Sequence, residues 1–132
     1  MSMYVGVASK TAGRWAARLY DMPWVRAEGA TLADAIAATV AAFWERVKRT
    51  TAPSDTFPAP TAPEDVLNSG RLEAGETIVL IPLGLRDGPA MRINITVPVG
   101  LLRDIDADAQ RRELTRSTWL AIAAREKLAA GR

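Results

Sequence analysis

The sequence predicts an α+β fold with two domains. Short β-prone runs fill the first part of the 132 residues, one long amphipathic helix follows them, and a further strand comes after it. The last forty or so residues instead have the pattern of one short strand and two helices. The predicted order is therefore β-β-β-α-β and then β-α-α. We place the domains at residues 1–83 and 91–132, with a linker at 84–90.

The first three strands form a predicted meander. β-prone residues cover 3–8 and 14–20 on either side of the turn-forming stretch SKTAG, which is typical of a β-hairpin. Pro23 interrupts the chain, and WVRAEG then has the composition of a third strand that ends at Gly29. The stretch 77–81 is β-branched and apolar, and we expect it to complete the sheet.

A long helix is predicted between the third and fourth strands. Thr31 is a suitable N-cap, and Asp34 stands three residues later, where the helix dipole favours a carboxylate. Apolar residues then recur at spacings of three and four, which defines one core-facing side. These residues are Leu32, Ile36, Val40, Phe43 and Val47.

A proline-rich stretch, TTAPSDTFPAPTAPED, follows this helix. Its prolines at 53, 58, 60 and 63 are too many for a helix or a central strand. We expect an extended connector that serves as a spacer.

Composition excludes several classes of function. The chain has no cysteine and no histidine, which removes disulfides, Cys/His zinc sites, Cys nucleophiles and His-based triads. Asp21, Glu28 and Asp34 do not predict a metal-dependent nuclease, because Asp21 is explained as a turn former and Asp34 as a helix-start residue. We expect no enzymatic activity, no metal and no cofactor. Without a leader pattern or a long apolar segment, the chain is expected to be cytoplasmic.

The basic residues are concentrated in the last third. Residues 1–88 hold 9 Lys and Arg against 10 Asp and Glu, whereas residues 89–132 hold 8 against 5. Such an excess suits a nucleic-acid contact, although an ordinary solvated surface gives the same pattern. In the first domain, Trp15, Trp24 and Trp44 are either core residues or anchors of an interface.

The stretch MRINITV, residues 91–97, alternates polar and apolar side chains. One such strand and two helices cannot close a core within a single chain. Two copies can, because each strand would complete the other in an antiparallel ribbon whose apolar side the helices cover. The expected dimer core contains Ile93, Ile95, Val97, Leu101, Leu102, Ile105, Trp119 and Leu120.

The polar side of this ribbon has the chemistry of DNA recognition. A two-stranded ribbon fits the major groove, where Arg92 can bond guanine, Asn94 can bond adenine, and Thr96 can meet base edges or a thymine methyl. The alternative is a solvated strand face. Phosphate contacts are expected where the second helix begins, because its free amides attract anions, although a plain helix cap is the alternative there. The residues at this position are Thr115, Arg116 and Ser117.

Two motifs connect the sequence to a known family. RINIT.P..LL..ID and TRS..L...AREKL are similar to the ribbon-helix-helix motif at the C-terminus of HicB antitoxins. The β-β-β-α-β order, with DMP and EGATLADAI, resembles the partial RNase H-like domain of that family.

This resemblance implies two roles. The N-terminal domain would bind and neutralise a small mRNA-cleaving toxin of the HicA type. The C-terminal domain would bind operator DNA as a homodimer, or as a tetramer of two dimers, and so repress its own operon. The alternative is a ribbon-helix-helix regulator whose front domain senses a ligand or only mediates oligomerisation.

Three positions depart from the pattern of the family. Trp24 follows DMP where Gly is usual, and this changes the strand edge or the toxin-facing surface. Gly100 replaces an acidic residue and should weaken the first turn of its helix. Glu113 stands where the turn usually has Gly, so a left-handed backbone there would cost about 1 kcal/mol.

Overall fold

The computed structural model describes residues 2–51, 56–84 and 86–131. Pro53 of the predicted connector and Leu85 of the predicted linker lie outside these residues, as do the two terminal residues. No helix in the described part of the chain is long and apolar enough to cross a membrane. The chain divides into two compact units, and each is described by itself.

The first unit, Met1–Ala90, is a four-stranded antiparallel sheet with helices. The strands lie in the order β3-β2-β1-β4, so the predicted meander and its fourth strand are confirmed. The elements described in this unit are β1 (Ser2–Thr11), β2 (Arg14–Leu19), β3 (Arg26–Gly29), α1 (Leu32–Arg49), α2 (Pro63–Asn68) and β4 (Thr77–Leu83).

The hairpin between β1 and β2 has a shorter turn than predicted. Thr11 pairs with Arg14, so the turn contains only Ala12 and Gly13. These two residues have φ of 53° and 79°, which is the backbone of a type I′ turn and matches the twist of the strands. The stretch SKT, expected to form part of the turn, belongs to β1 because its residues continue the ladder.

Helix α1 packs against one face of the sheet, but its buried residues are Ala35, Thr39 and Phe43. The other residues of the predicted apolar side are half-buried against the core, and they are Leu32, Ile36, Val40 and Val47. The Thr31 hydroxyl oxygen accepts a hydrogen bond from the Asp34 amide at 3.1 Å, which confirms the N-cap. A Cβ on Gly29 would lie 2.5 Å from the Ala35 nitrogen, so only glycine permits this close approach of β3 to α1. The main core of the unit contains Tyr4, Leu19, Met22, Val25, Phe43, Ile81 and Leu83.

The proline-rich stretch is not an extended spacer throughout, because the short helix α2 begins within it. Its described part is also fixed to the sheet. The Tyr4 hydroxyl donates to the Pro58 carbonyl at 2.7 Å, and the Asp21 carboxylate accepts the Thr61 amide at 2.8 Å. Burial, and to a smaller extent the charge of Asp21, raises the pKa of Tyr4, so this hydroxyl remains a donor.

The described part of the predicted linker packs on the first unit. The Asp87 amide donates to the Gly84 carbonyl at 2.9 Å and closes a turn. Gly88 has φ of 101°, and a Cβ there would lie 2.6 Å from the Trp44 ring. Glycine is therefore required at this contact with α1. The boundary between the two units falls at Ala90, where the predicted linker ends.

The second unit, Met91–Arg132, contains α3 (Val99–Arg111) and α4 (Arg116–Ala130). Both helices agree with the sequence prediction, but the predicted strand at 91–97 is not formed in the single chain, because no described residue pairs with it. Thr115 caps α4, since its hydroxyl oxygen accepts the Thr118 amide at 3.1 Å. Glu113 has φ of 57°, so the turn between the helices uses the left-handed backbone expected to be unfavourable for this residue.

Candidate nucleic-acid interface

Segment 91–97 exposes its apolar residues in the single chain. Ile93 is 70% exposed and Ile95 is 58% exposed, while Val97 is half-buried. The segment forms no β-ladder with any other described residue. Soluble monomers rarely expose apolar side chains in such close succession. The described part of the chain therefore leaves the apolar side of the predicted ribbon exposed.

The helices of the second unit show the same surplus of apolar surface. Ile105 and Ala109 are buried, and they are the buried residues among those described in this unit. Leu101, expected in the core, is 50% exposed, because none of the described residues covers it. The remaining predicted core residues are half-buried and are Leu102, Trp119 and Leu120.

The three residues predicted to read bases are exposed. Arg92, Asn94 and Thr96 alternate with Ile93 and Ile95 along the segment. Within the described chain they form no hydrogen bond and no ion pair that would occupy their polar groups. An arginine, an amide and a hydroxyl are thus available side by side on this segment.

The start of α4 is different, because Arg116 already has an anionic partner. Its Nε and Nη2 atoms donate to the Oδ1 and Oδ2 atoms of Asp106 at 2.9 and 2.8 Å. The hydrogen bond from the guanidinium lowers the pKa of Asp106, and the same contact raises the pKa of Arg116. Ser117, by contrast, is exposed at the first turn of the helix. Sequence reasoning missed this pair because the two residues lie on different helices.

A second carboxylate holds the same pair of helices together. The Trp119 indole N–H donates to Asp108 Oδ2 at 2.7 Å, and Arg112 Nε donates to the same oxygen at 2.7 Å. These bonds lower the pKa of Asp108, with the indole contact the larger cause. Trp119 is half-buried and engaged through its nitrogen, which favours a structural role over base stacking.

The three carboxylates considered for metal chemistry have different surroundings. Asp21 binds the Thr61 amide, and Asp34 stands in the first turn of α1. Glu28 lies exposed on β3. No group of three or more His, Cys, Asp or Glu in the described residues could hold a metal ion.

The three tryptophans of the first unit have different surroundings. Trp15 is half-buried against a small alanine cluster, and Trp44 is half-buried against Phe43 and Gly88. Trp24 is 51% exposed. Only Trp24, among these three, has the exposure of a free interface anchor.

Fold and surface together define a class of protein. The chain has a mixed α+β unit with a closed core and a second unit of two helices. The segment before these two helices exposes Ile93 and Ile95. Residues 4–124 match the family described as the HicB-like antitoxin of bacterial toxin-antitoxin systems. The chain therefore belongs to the HicB-like antitoxin family.

Three solved structures of HicB antitoxins are similar to this chain. The chain is similar to the antitoxin HicB of Burkholderia pseudomallei, with 28% identity, full coverage of both chains and a TM-score of 0.53. The N-terminal domain of that antitoxin matches with 23% identity over 62% of this chain and 98% of that one, at a TM-score of 0.50. The antitoxin HicB3 matches with 24% identity over 95% and 96% of the two chains, also at 0.50. No curated protein gives a significant match.

Proposed function

We propose that this antitoxin has two activities, one in each unit. The first unit binds and neutralises a small mRNA-cleaving toxin of the HicA type. The second unit forms a dimer through paired 91–97 strands and binds the operator of its own gene as a ribbon-helix-helix repressor. Neither activity is catalytic on the part of this chain, which acts by binding.

The observation that carries the dimer is the exposure of Ile93 and Ile95 in a single chain. Burying a large aliphatic side chain is worth about 1.5–3 kcal/mol, so a partner surface that covers both is strongly favoured. A second copy supplies that surface and also satisfies the unpaired backbone groups of the segment. The exposed Leu101 at the start of α3 lies on the same unit and would join this contact. Two such dimers could associate further into a tetramer through the first units.

The DNA-binding role is supported by the polar side chains of segment 91–97, which would stay exposed in the dimer. Arg92, Asn94 and Thr96 are the alternate residues of the segment, so they would share the face opposite the isoleucines. A two-stranded ribbon with this face fits the major groove and brings two sets of donors and acceptors to the base edges. Thr115 and Ser117 would meet the phosphates, with the amides at the start of α4.

Arg92→Ala tests the groove assignment. The fragment upstream of the gene serves as operator, and gel shifts compare it with a scrambled fragment at fixed salt. We expect the variant to lose about 1–3 kcal/mol of discrimination between the two fragments. Arg14→Ala, an exposed arginine on the β1–β2 hairpin, is the matched control and should leave the discrimination unchanged. Unchanged discrimination in Arg92→Ala would refute the assignment.

Neutralisation is tested with the product of the adjacent reading frame. The rate at which this product cleaves mRNA is measured in three samples. They contain the product alone, the product with the wild-type chain, and the product with a variant chain whose operator contacts are disrupted. Inhibition by both forms of the chain supports a toxin-binding role that is independent of DNA. A neighbour that cleaves RNA equally well in the presence of the chain would refute the neutralising role.

A further inference from the structure

We infer that the cleft beside Trp24 on the first unit is a docking site for the partner protein, where it receives an apolar side chain flanked by a carboxylate. We call this the Trp24 cleft, and its residues of interest are Met22, Trp24, Val25, Phe43, Arg46 and Phe57. The inference rests on the proposed neutralising function and deepens it, because it assigns the surface and the chemistry of the contact.

Trp24 is exposed on a rigid support. It lies between Met22 and Val25, which are both buried in the core. The Val25 amide donates to the Met22 carbonyl at 2.8 Å, and the Leu19 amide donates to the Val25 carbonyl at 3.0 Å. The indole is therefore presented by a loop that is fixed at both ends. An aromatic side chain held in this way loses little conformational entropy on binding, which is the property of an interface anchor.

The floor of the cleft is apolar and its size suits a side chain. Met22, Val25 and Phe43 form the floor, and Phe57 with Pro58 forms part of one wall. The hydrogen bond from Tyr4 to the Pro58 carbonyl holds that wall in place. The cavity has a volume of about 280 Å³, and a second cavity of about 630 Å³ shares Trp24, Val25 and Arg46 with it. The space above the apolar floor accommodates a large side chain of a partner.

The charges around the cleft select the partner. The Arg46 guanidinium lies 5.9 Å from the centroid of the Trp24 ring. Neither Arg46 nor Arg49 forms an ion pair with another described residue, whereas the nearby Glu45 carboxylate is bound to Lys48 at 3.1 Å. The negative end of the α1 dipole offsets only part of this positive charge. A partner that brings a carboxylate to Arg46 would complete the site.

The same geometry disfavours nucleic acid as the occupant. Base stacking needs an open face of the indole, and the guanidinium of Arg46 lies over one of the two faces of the Trp24 ring. The floor beneath the cleft is apolar and offers no edge for base recognition. A protein side chain uses the indole edge and the apolar floor together. The test below includes an RNA oligonucleotide, because Trp24-dependent binding of RNA would contradict this assignment.

The test uses the full chain and an inactive variant of the protein encoded in the adjacent frame. Calorimetric titration gives Kd for the wild-type chain, for Trp24→Ala and for Arg46→Gln. We expect losses of at least about 30-fold for Trp24→Ala, as for a binding hot spot, and of about tenfold for Arg46→Gln. Leu67→Ala and Arg14→Ala replace an exposed apolar residue and an exposed arginine elsewhere on the unit, and they should change Kd less than twofold. Thermal melting of each variant establishes that the unit remains folded.

The outcomes separate this inference from the proposed function. Wild-type binding that persists unchanged in Trp24→Ala and Arg46→Gln overturns the cleft and leaves neutralisation intact. A wild-type chain that binds no such protein overturns both. Binding of a single-stranded RNA oligonucleotide that depends on Trp24, with protein binding that does not, assigns the cleft to nucleic acid and also overturns the inference.

Discussion

The two units of this antitoxin differ in how completely they bury their apolar residues. The first unit has a continuous core of large side chains between α1 and the sheet. The second unit buries Ile105 and Ala109 among its described residues, and it leaves Ile93, Ile95 and Leu101 in contact with solvent. A closed core makes stability a property of one chain. An open one makes stability depend on association, and therefore on concentration.

The largest effect is expected in the closed core. Phe43 is fully buried and contacts the rings of Trp44 and Phe57 at centroid distances of 5.0 and 6.1 Å. Phe43→Ala should destabilise the first unit by about 3–5 kcal/mol, because it removes buried contacts and leaves a cavity. Urea unfolding followed by tryptophan fluorescence measures the loss, which should not vary with protein concentration. Leu67→Ala, at an exposed position of α2, should change it little.

The uncovered segment should respond differently. Ile95→Ala should weaken the proposed dimer by about 2–5 kcal/mol per chain, since a side chain that is exposed in one copy would be buried between two. Light scattering across a dilution series measures the shift towards monomer, and the unfolding midpoint of the second unit should fall with dilution. Leu80→Ala, at an exposed apolar position on β4, is the control. A wild-type chain that is monomeric at all concentrations would contradict the comparison.

This difference also explains which features the sequence could predict. Local signals predicted the four strands of the first unit, but the strand predicted at 91–97 is not formed in the single chain. They also predicted α1 and α4, because Thr31 and Thr115 are N-caps whose role depends on residues three positions away. The short helix α2 was missed although Pro63 at its first position, followed by two acidic residues, is a start signal. The prolines just before it, at 53, 58 and 60, conceal this signal because proline usually interrupts helices.

Contacts between distant residues could not be predicted in the same way. The bond from Tyr4 to Pro58 spans 54 residues, and the bond from Thr61 to Asp21 spans 40. No periodicity or spacing indicates such pairs. In the candidate site, the alternation of residue types in segment 91–97 indicated the proposed DNA-binding residues from the sequence alone. The pair of Arg116 and Asp106 could not be predicted without the conformation of the turn between the helices. That turn requires a left-handed backbone at position 113.

A substitution at Glu113 should change the stability of the second unit by a smaller amount, and it should raise that stability. The φ of 57° at this position is unfavourable for a residue with a Cβ, by about 1–2 kcal/mol. Glycine relieves this strain but makes the unfolded chain more flexible, which costs about 0.4–1 kcal/mol. Glu113→Gly should therefore stabilise the second unit by roughly 0.5 kcal/mol, measured as a rise in its melting temperature. Glu126→Gly, within α4, should instead destabilise by about 1 kcal/mol. A loss of stability in both variants would contradict the assigned turn.

The smallest effect on stability, and a clear effect on DNA binding, is expected for Asp106→Asn. The pair with Arg116 is largely solvent-exposed, so its removal should hardly change the melting temperature. The Asp106 carboxylate occupies the Nε and Nη2 donors of Arg116 and neutralises the guanidinium, so a phosphate gains less from this arginine while the pair is formed. Asp106→Asn should therefore raise affinity for operator and scrambled DNA alike.

Salt dependence distinguishes this competition from a change in fold. Each phosphate contact that releases a counterion steepens the slope of log K against log salt by roughly one, so Asp106→Asn should bind DNA with a steeper slope than the wild-type chain. Arg116→Ala should flatten it, and in the Arg116→Ala background Asp106→Asn should steepen the slope less than it does in the wild-type chain, because no guanidinium remains to be freed. Asp104→Asn is the matched control, since it removes an exposed carboxylate from the same helix without freeing Arg116. Equal gains in both asparagine variants would mean that general repulsion by α3, and not the pair, opposes the phosphate.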